Sequence, residues 1–138
     1  SHAGMLMEQL RAQHFCAELR PDSTIFFYTT TSWMVWNSLY SALVTGASVV
    51  IYDGNPLYPN SSALWHITEA SGATVLGLSP SLVTKMDQDG VEPATSFDLS
   101  GLEMVILGGA PSTPHTFAWF CCLLNAQLFL LDQALFLH

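Results

Sequence analysis

Apolar and polar positions along this chain fall into short blocks with two different periods. Between Met5 and Ala17 the apolar residues Met5, Leu6, Leu10, Phe15 and Cys16 recur at helical spacing, which predicts an amphipathic helix stopped by Pro21. Thr24 to Tyr28 is a β-branched and aromatic run and predicts a buried strand. Thr29 to Ser32 turns the chain, and Thr31 or Ser32 offers a hydroxyl to cap a helix from about Trp33 to Val44, ended by Gly46. A second strand follows over Ala47–Tyr52, and Gly, Asn and Pro mark Asp53–Pro59 as a loop. Asn60 or Ser61 caps a helix to about Ala70, closed by Gly72. Ala73–Leu78 is the third strand, and Ser79-Pro80 opens another helix with proline where a missing N–H costs nothing. Lys85 to Ser96 reads as a polar connection, Met104–Leu107 as the fourth strand ending at Gly108-Gly109, and Pro114 to Phe120 as a helix start.

Four apolar strands separated by helical crossovers predict an α/β fold, a mostly parallel sheet with helices on its faces. In a parallel sheet the carboxyl ends of all strands share one rim, where ligands bind. Three turns gather there: Thr29–Trp33, Asp53–Pro59 and Gly108–Pro111. The glycine pair lets a ligand approach the main chain closely, although by itself it also suits a strand-to-helix turn that binds nothing.

The last eighteen positions, 121–138, do not match the preceding blocks. They are almost all apolar, with Asn125, Gln127, Asp132 and Gln133 as polar breaks before the terminus. A membrane span needs roughly 20 predominantly apolar residues, and these four groups argue against one. Two readings stay open: a helix seeking a partner surface, and an aberrant C-terminus from a frame slip or misjoined exon. The expected division is therefore 1–120 and an atypical apolar tail over 121–138. Because the chain opens on Ser1 without an initiator Met and enters a helix almost at once, it reads as a piece.

Composition narrows the partners. Arg11, Arg20 and Lys85 are the three fixed cations against eleven acidic residues, giving a net charge of −8. Nucleic acid is excluded as a partner by the lack of clustered Lys and Arg, and an anionic membrane surface is disfavoured by the same deficit. Cys16, Cys121 and Cys122 form no regular disulfide framework, and with His2, His14, His66 and His115 scattered, no zinc-ligand spacing appears. No metal ligand is assigned. No secretory signal pattern opens the sequence, so a reducing, intracellular setting is the default expectation.

The runs Ala3–Leu10, Phe27–Asn37, Leu43–Ala47, Tyr52–Pro59 and Phe97–Leu102, leading into Gly108–Pro111, carry a resemblance in order and spacing over residues 1–120. Their most specific parts are TTTSWMVWN and YDGNPLYP. The chain resembles the acyl-adenylate-forming, AMP-dependent ligases and, among them, the acetoacetate–CoA ligases. Beyond Phe120 the resemblance is not seen. It implies a two-step reaction on a ketone body: acetoacetate attacks the α-phosphate of ATP with Mg²⁺ present, giving acyl-AMP and pyrophosphate, and the thiol of coenzyme A then displaces AMP to give a thioester. It further implies that Gly108, Gly109, Ala110 and Pro111 lie against the adenosine part of the nucleotide, and that Trp33, Met34 and Val35 line the acyl pocket. Without the resemblance, Trp33 and Trp36 read as ordinary core packing.

Equally informative are the family features not found in these 138 residues: the Gly/Ser/Thr-rich phosphate loop with its lysine, the Tyr-Gly-x-Thr-Glu-like motif, and the mobile C-terminal domain with its catalytic lysine. Lys85, placed in a connecting loop, is no substitute. Charge stabilisation at the phosphoryl centre dominates such catalysis, so no catalytic residue is assigned and the chain alone is expected to ligate nothing. The alternatives are a ligase portion for another short acid and a non-catalytic interaction module. The resemblance leans to a cytosolic setting. Unpaired sheet edges and the apolar tail predict poor solubility in isolation.

Overall fold

In a computed structural model, residues 1–110, 113–123 and 129–132 are described. Helix α1 (His2–Arg11) is capped by Ser1, whose hydroxyl accepts the Gly4 N–H at 3.2 Å, and it runs on into a π-helical turn, Ala12–Cys16. Strand β1 (Thr24–Phe27) leads through a turn to α2 (Met34–Ser41), extended by a 3₁₀ turn, Ala42–Thr45. Then come β2 (Ser48–Val50), α3 (Ala63–Ser71), β3 (Val75–Leu78), α4 (Pro80–Gln88) and the short α5 (Pro93–Ser96). The chain continues through β4 (Met104–Leu107), α6 (Pro114–Leu123) and β5 (Phe129–Asp132).

All strands are parallel, in the order β2-β1-β3-β4-β5. The α/β parallel architecture is as expected from the pattern. The sheet has one strand more than the four read from the sequence, because β5 pairs Phe129–Asp132 with Met104–Leu107. That strand lies inside the segment set apart as a tail, where a uniformly apolar composition carries no period to reveal it. The remainder of the tail, 124–128 and 133–138, lies outside the described residues.

Alternation along the strands divides the core in two. Phe26, Leu76, Leu78, Val105 and Leu107 face Leu64 and Trp65 of α3, Val83 and Met86 of α4, and Phe120 of α6. Ile25, Phe27, Val75, Met104 and Ile106 face the other way, toward Val35 and Leu39 of α2 and toward Ala17, Leu19 and Ala42. In the register, Phe27 stands beside Gly77, and a Cβ built on Gly77 would run into the Phe27 ring. Glycine in the middle of β3 is what makes room for that ring.

Three local expectations are corrected. No side chain caps α2: its N-cap residue is Trp33, and the turn closes through the backbone, Trp33 N–H to the Thr30 carbonyl at 3.1 Å, leaving Thr31 and Ser32 exposed. Lys85 belongs to α4, not to a loop, and its ammonium pairs with Asp89 at 2.6 Å, one turn along the helix. The first helix begins earlier than expected and buries none of its residues. It and the π-helical turn meet α2 through polar groups instead: the Gln13 amide of the turn donates to the Ser38 carbonyl at 2.6 Å and to the Ser41 hydroxyl at 3.0 Å, and Ser41 donates to Gln9 of α1 at 2.9 Å. By contrast, Ser79 caps α4 as expected, accepting the Leu82 N–H.

Candidate functional site

The order β2-β1-β3-β4-β5 reverses direction between β1 and β3, the place where open parallel sheets form a crevice at their carboxyl ends. Backbone bonds stitch that rim together. The Tyr28 N–H donates to the Gly77 carbonyl at 3.3 Å, and the Gly108 N–H donates to the Leu78 carbonyl at 3.1 Å. The turn after β1 and the turn after β4 are therefore both tied to the end of β3 between them.

Trp33 closes the gap across that end. A Cβ built on Gly109 would sit 3.7 Å from the Trp33 six-membered ring, so the indole lies against this glycine from two strands away. Gly109 itself takes φ +94°, a left-handed conformation that a side chain would strain. Gly108 is buried, whereas Gly109 and Ala110 are exposed; Pro111 lies outside the described residues. Trp33 and Met34 are 59 % and 62 % exposed, and Val35 is turned into the core beside Leu39 and Ala42. Of the three side chains expected around an acyl group, two thus stand at the rim and the third supports them from beneath.

Ser79 and Ser81 place hydroxyls 3.0 Å apart at the start of α4, which begins where β3 reaches the same rim. On the far side, the loop after β2 is tethered to β1: the Tyr28 hydroxyl donates to the Gly54 carbonyl at 3.3 Å, and the Tyr52 hydroxyl to the Asn55 carbonyl at 3.2 Å. Burial, and then the nearby Tyr52 and Asp53, push the Tyr28 phenol above its usual range, which keeps it a neutral donor. The Asn55 carboxamide accepts the Leu57 N–H at 2.9 Å, fixing the loop from within. Tyr28 and Ser81 were missed in the sequence. Tyr28 follows the last strand residue and reads there only as apolar, and Ser81 lacks any pattern to mark it.

The chain's three cations are engaged elsewhere. Arg11 pairs with Glu8 on α1, and Arg20 reaches Glu103 at 3.1 Å, each residue preceding a strand at the opposite end of the sheet. Lys85 is held by Asp89 toward the end of α4. Among the described residues no group of three His, Cys, Asp or Glu side chains is placed to hold a metal ion. An indole beside open glycine backbone suits a flat, apolar ring system; it offers nothing to neutralise phosphates.

The AMP-binding enzyme family matches residues 1–130. The chain belongs to that family. The match runs past Phe120, where the sequence reading stopped, and reaches the first residues of β5. A relative, the acetoacetyl-CoA synthetase of Danio rerio, is 33 % identical over 129 residues, covering 93 % of this chain and 19 % of its own length. The acetoacetyl-coenzyme A synthetase of Rhizobium meliloti is 34 % identical over 119 residues, 86 % of this chain and 18 % of its own. A solved structure, the acetoacetyl-CoA synthetase from Streptomyces lividans, superposes with a TM-score of 0.90 at 38 % identity, covering 94 % of this chain and 21 % of that one. The chain thus spans about a fifth of the length of the relatives it matches. Among the described residues no helix is long and apolar enough to cross a membrane.

Proposed function

We propose that this chain supplies part of the nucleotide and acid site of an acid–CoA ligase acting on acetoacetate, and that it is inactive by itself. The observation that carries the reading is the Trp33 indole lying against Gly109, 3.7 Å from where a Cβ would be. It joins the residues expected at the acyl group to those expected at the adenosine. Family membership and the acetoacetyl-CoA synthetases among its relatives support the ligase class and the choice of acid.

In this reading the exposed backbone of Gly109 and Ala110, continued by Pro111 and backed by Gly108, presents a flat wall to the adenosine. Trp33 and Met34 bound the short acyl chain with rigid and adaptable apolar surface respectively, and Val35 holds the start of α2 in place. The Tyr28 tether fixes the loop after β2 and keeps the rim's outer wall from collapsing. ATP would supply the adenylyl group, with pyrophosphate leaving, and coenzyme A the accepting thiol, with Mg²⁺ as counter-charge. The groups that would hold those charges are not among this chain's cations, which are paired away from the rim. The setting is cytosolic.

Calorimetric titration of the purified chain with AMP and with a non-hydrolysable acetoacetyl-AMP mimic tests the reading. Saturable binding of the mimic, weakened about ten-fold in Trp33→Ala by loss of a buried aromatic contact, is expected. No ATP- and acetoacetate-dependent pyrophosphate release should accompany it. Binding indifferent to Trp33→Ala removes the acyl assignment, and pyrophosphate release by the chain alone removes the claim of inactivity.

A further inference from the structure

The end of α2 that carries Trp33 and Met34 has no side-chain cap, and Val35 and Leu39 hold that helix to the sheet through apolar packing. Apolar contacts favour closeness without fixing how far a helix slides along its own axis. Directional bonds fix that, and α2 receives them toward its other end. Gln13 is 5 % exposed and directs both N–H groups of its amide to α2, one to the Ser38 carbonyl at 2.6 Å and one to the Ser41 hydroxyl at 3.0 Å. Ser41, equally buried, donates in turn to the Gln9 side chain at 2.9 Å. Gln9 and Gln13 stand four residues apart, on one face of the helical segment, so both reach the same hydroxyl. Such a chain of hydrogen bonds is cooperative, and it penalises any displacement that leaves a buried member unpaired.

The main chain at Gln13 is held as well. Its carbonyl accepts the Leu19 N–H at 2.9 Å, and the turn around it is wound one residue wide, with the Ala17 N–H going to the Ala12 carbonyl at 3.0 Å. Leu19 then joins the same core cluster as Val35 and Leu39. Just before it Glu18 takes φ +49°, a left-handed conformation uncommon for a residue with a side chain. Widened and strained turns of this kind collect at functional sites. We infer that Gln13 is a positioning residue for the acyl wall: it fixes α2 along its axis and so sets the Trp33 indole against Gly109 at the rim. Ser38 and Trp33 belong to one continuous helix and its cap, rising about 1.5 Å per residue, so an axial slip at Ser38 reaches Trp33 undiminished. That the wall faces an acyl group rests on the proposed ligase function; that Gln13 places Trp33 does not.

The test uses the purified chain labelled with fluorotryptophan, with the Trp33 resonance assigned by its loss in Trp33→Phe. Gln13→Met keeps the length of the side chain and removes both donors. Ser41→Ala removes the hydroxyl between the two glutamines, and as the milder change it decides the matter where Gln13→Met does not fold. In both variants the Trp33 fluorine signal should shift or broaden, while that of Trp65, in the core on the opposite face, stays in place. Calorimetric affinity for the acetoacetyl-AMP mimic should fall about five-fold, the scale of one lost hydrogen bond, with affinity for AMP unchanged. Ser71→Ala, which removes a hydroxyl bonded to the Thr68 carbonyl on α3, should alter neither reading. A Trp33 signal unmoved in both variants overturns the inference. So does an equal loss of mimic and AMP affinity, which reports lost fold rather than a misplaced wall. A Trp33 signal that moves in a chain unable to bind the mimic upholds the placement and removes the acyl assignment instead.

Discussion

The two sides of this sheet are built from the same strands and finished differently. On one side Trp65, Phe26, Leu64, Leu76 and Leu78 are fully or almost fully removed from solvent beneath α3, α4 and α6. On the other, Ile25, Phe27 and Ile106 are just as well covered, but the helices that cover them carry a second apolar surface outward. α3 spends its apolar residues on the sheet; α1 spends none there. The contrast teaches that a helix's amphipathic pattern says that it has a partner, not that the partner is the nearest sheet.

The strongest way to break this comparison is a cavity on the closed side. Phe26→Ala should destabilise by about 3–5 kcal/mol, the range for a buried aromatic, and a urea titration showing under 1 kcal/mol would mean the side is not packed as described. Between the sides, Gly77→Ala forces a methyl into the Phe27 ring. Overpacking of this kind costs about 1–3 kcal/mol, and adding Phe27→Leu should recover part of the loss in the same titration. At the rim, Gly109→Ala should cost about 1–2 kcal/mol because its left-handed torsion disfavours a Cβ, and thermal denaturation showing no loss against the unmodified chain would remove the strain argument.

A subtler probe is pH. The Lys85 ammonium and the Ser61 hydroxyl both bond Asp89 and hold its carboxyl below the usual carboxylate value, tying α4 to the segment before α3. A lowered folded pKa means that the tie stabilises above the unfolded value and is lost as pH falls through the folded one. Asp89→Asn should therefore lower the melting temperature slightly near pH 7 and make no difference near pH 2; an equal deficit at both would assign its effect to something other than charge. The smallest effect belongs to the open side: Phe15→Ser should change the stability of the isolated chain by no more than about 0.5 kcal/mol.

Most of the fold was legible because Pro80, Gly72 and the strand composition act locally. Ser79 capping α4 and glycine closing α3 need only their neighbours in sequence. What was not legible depended on partners far along the chain. The strand order puts β3 beside β1, passing over β2, and no local pattern encodes that. β5 hides in a segment without alternation. Trp33 and the glycine pair were both visible as candidates, but that one lies against the other is a fact of the strand order. Val35 shows the converse: adjacent to Trp33 and Met34 in sequence, it points into the core because the helix turns it there.

The interior place of β1, between β2 and β3, has a temporal consequence. Thr24 pairs with Ser48, but Ile25 pairs with Val75 as well, so the second neighbour arrives much later in the chain than the first. A polypeptide emerging from its N-terminus can form the β1–β2 pair while the other flank of β1 is still bare. Contacts of high sequence separation are slow to close, and bare strand flanks recruit other chains while they wait. An interior strand thus waits longest at the ribosome for its second neighbour, and the arrival of residues 75–78 decides when that interval ends.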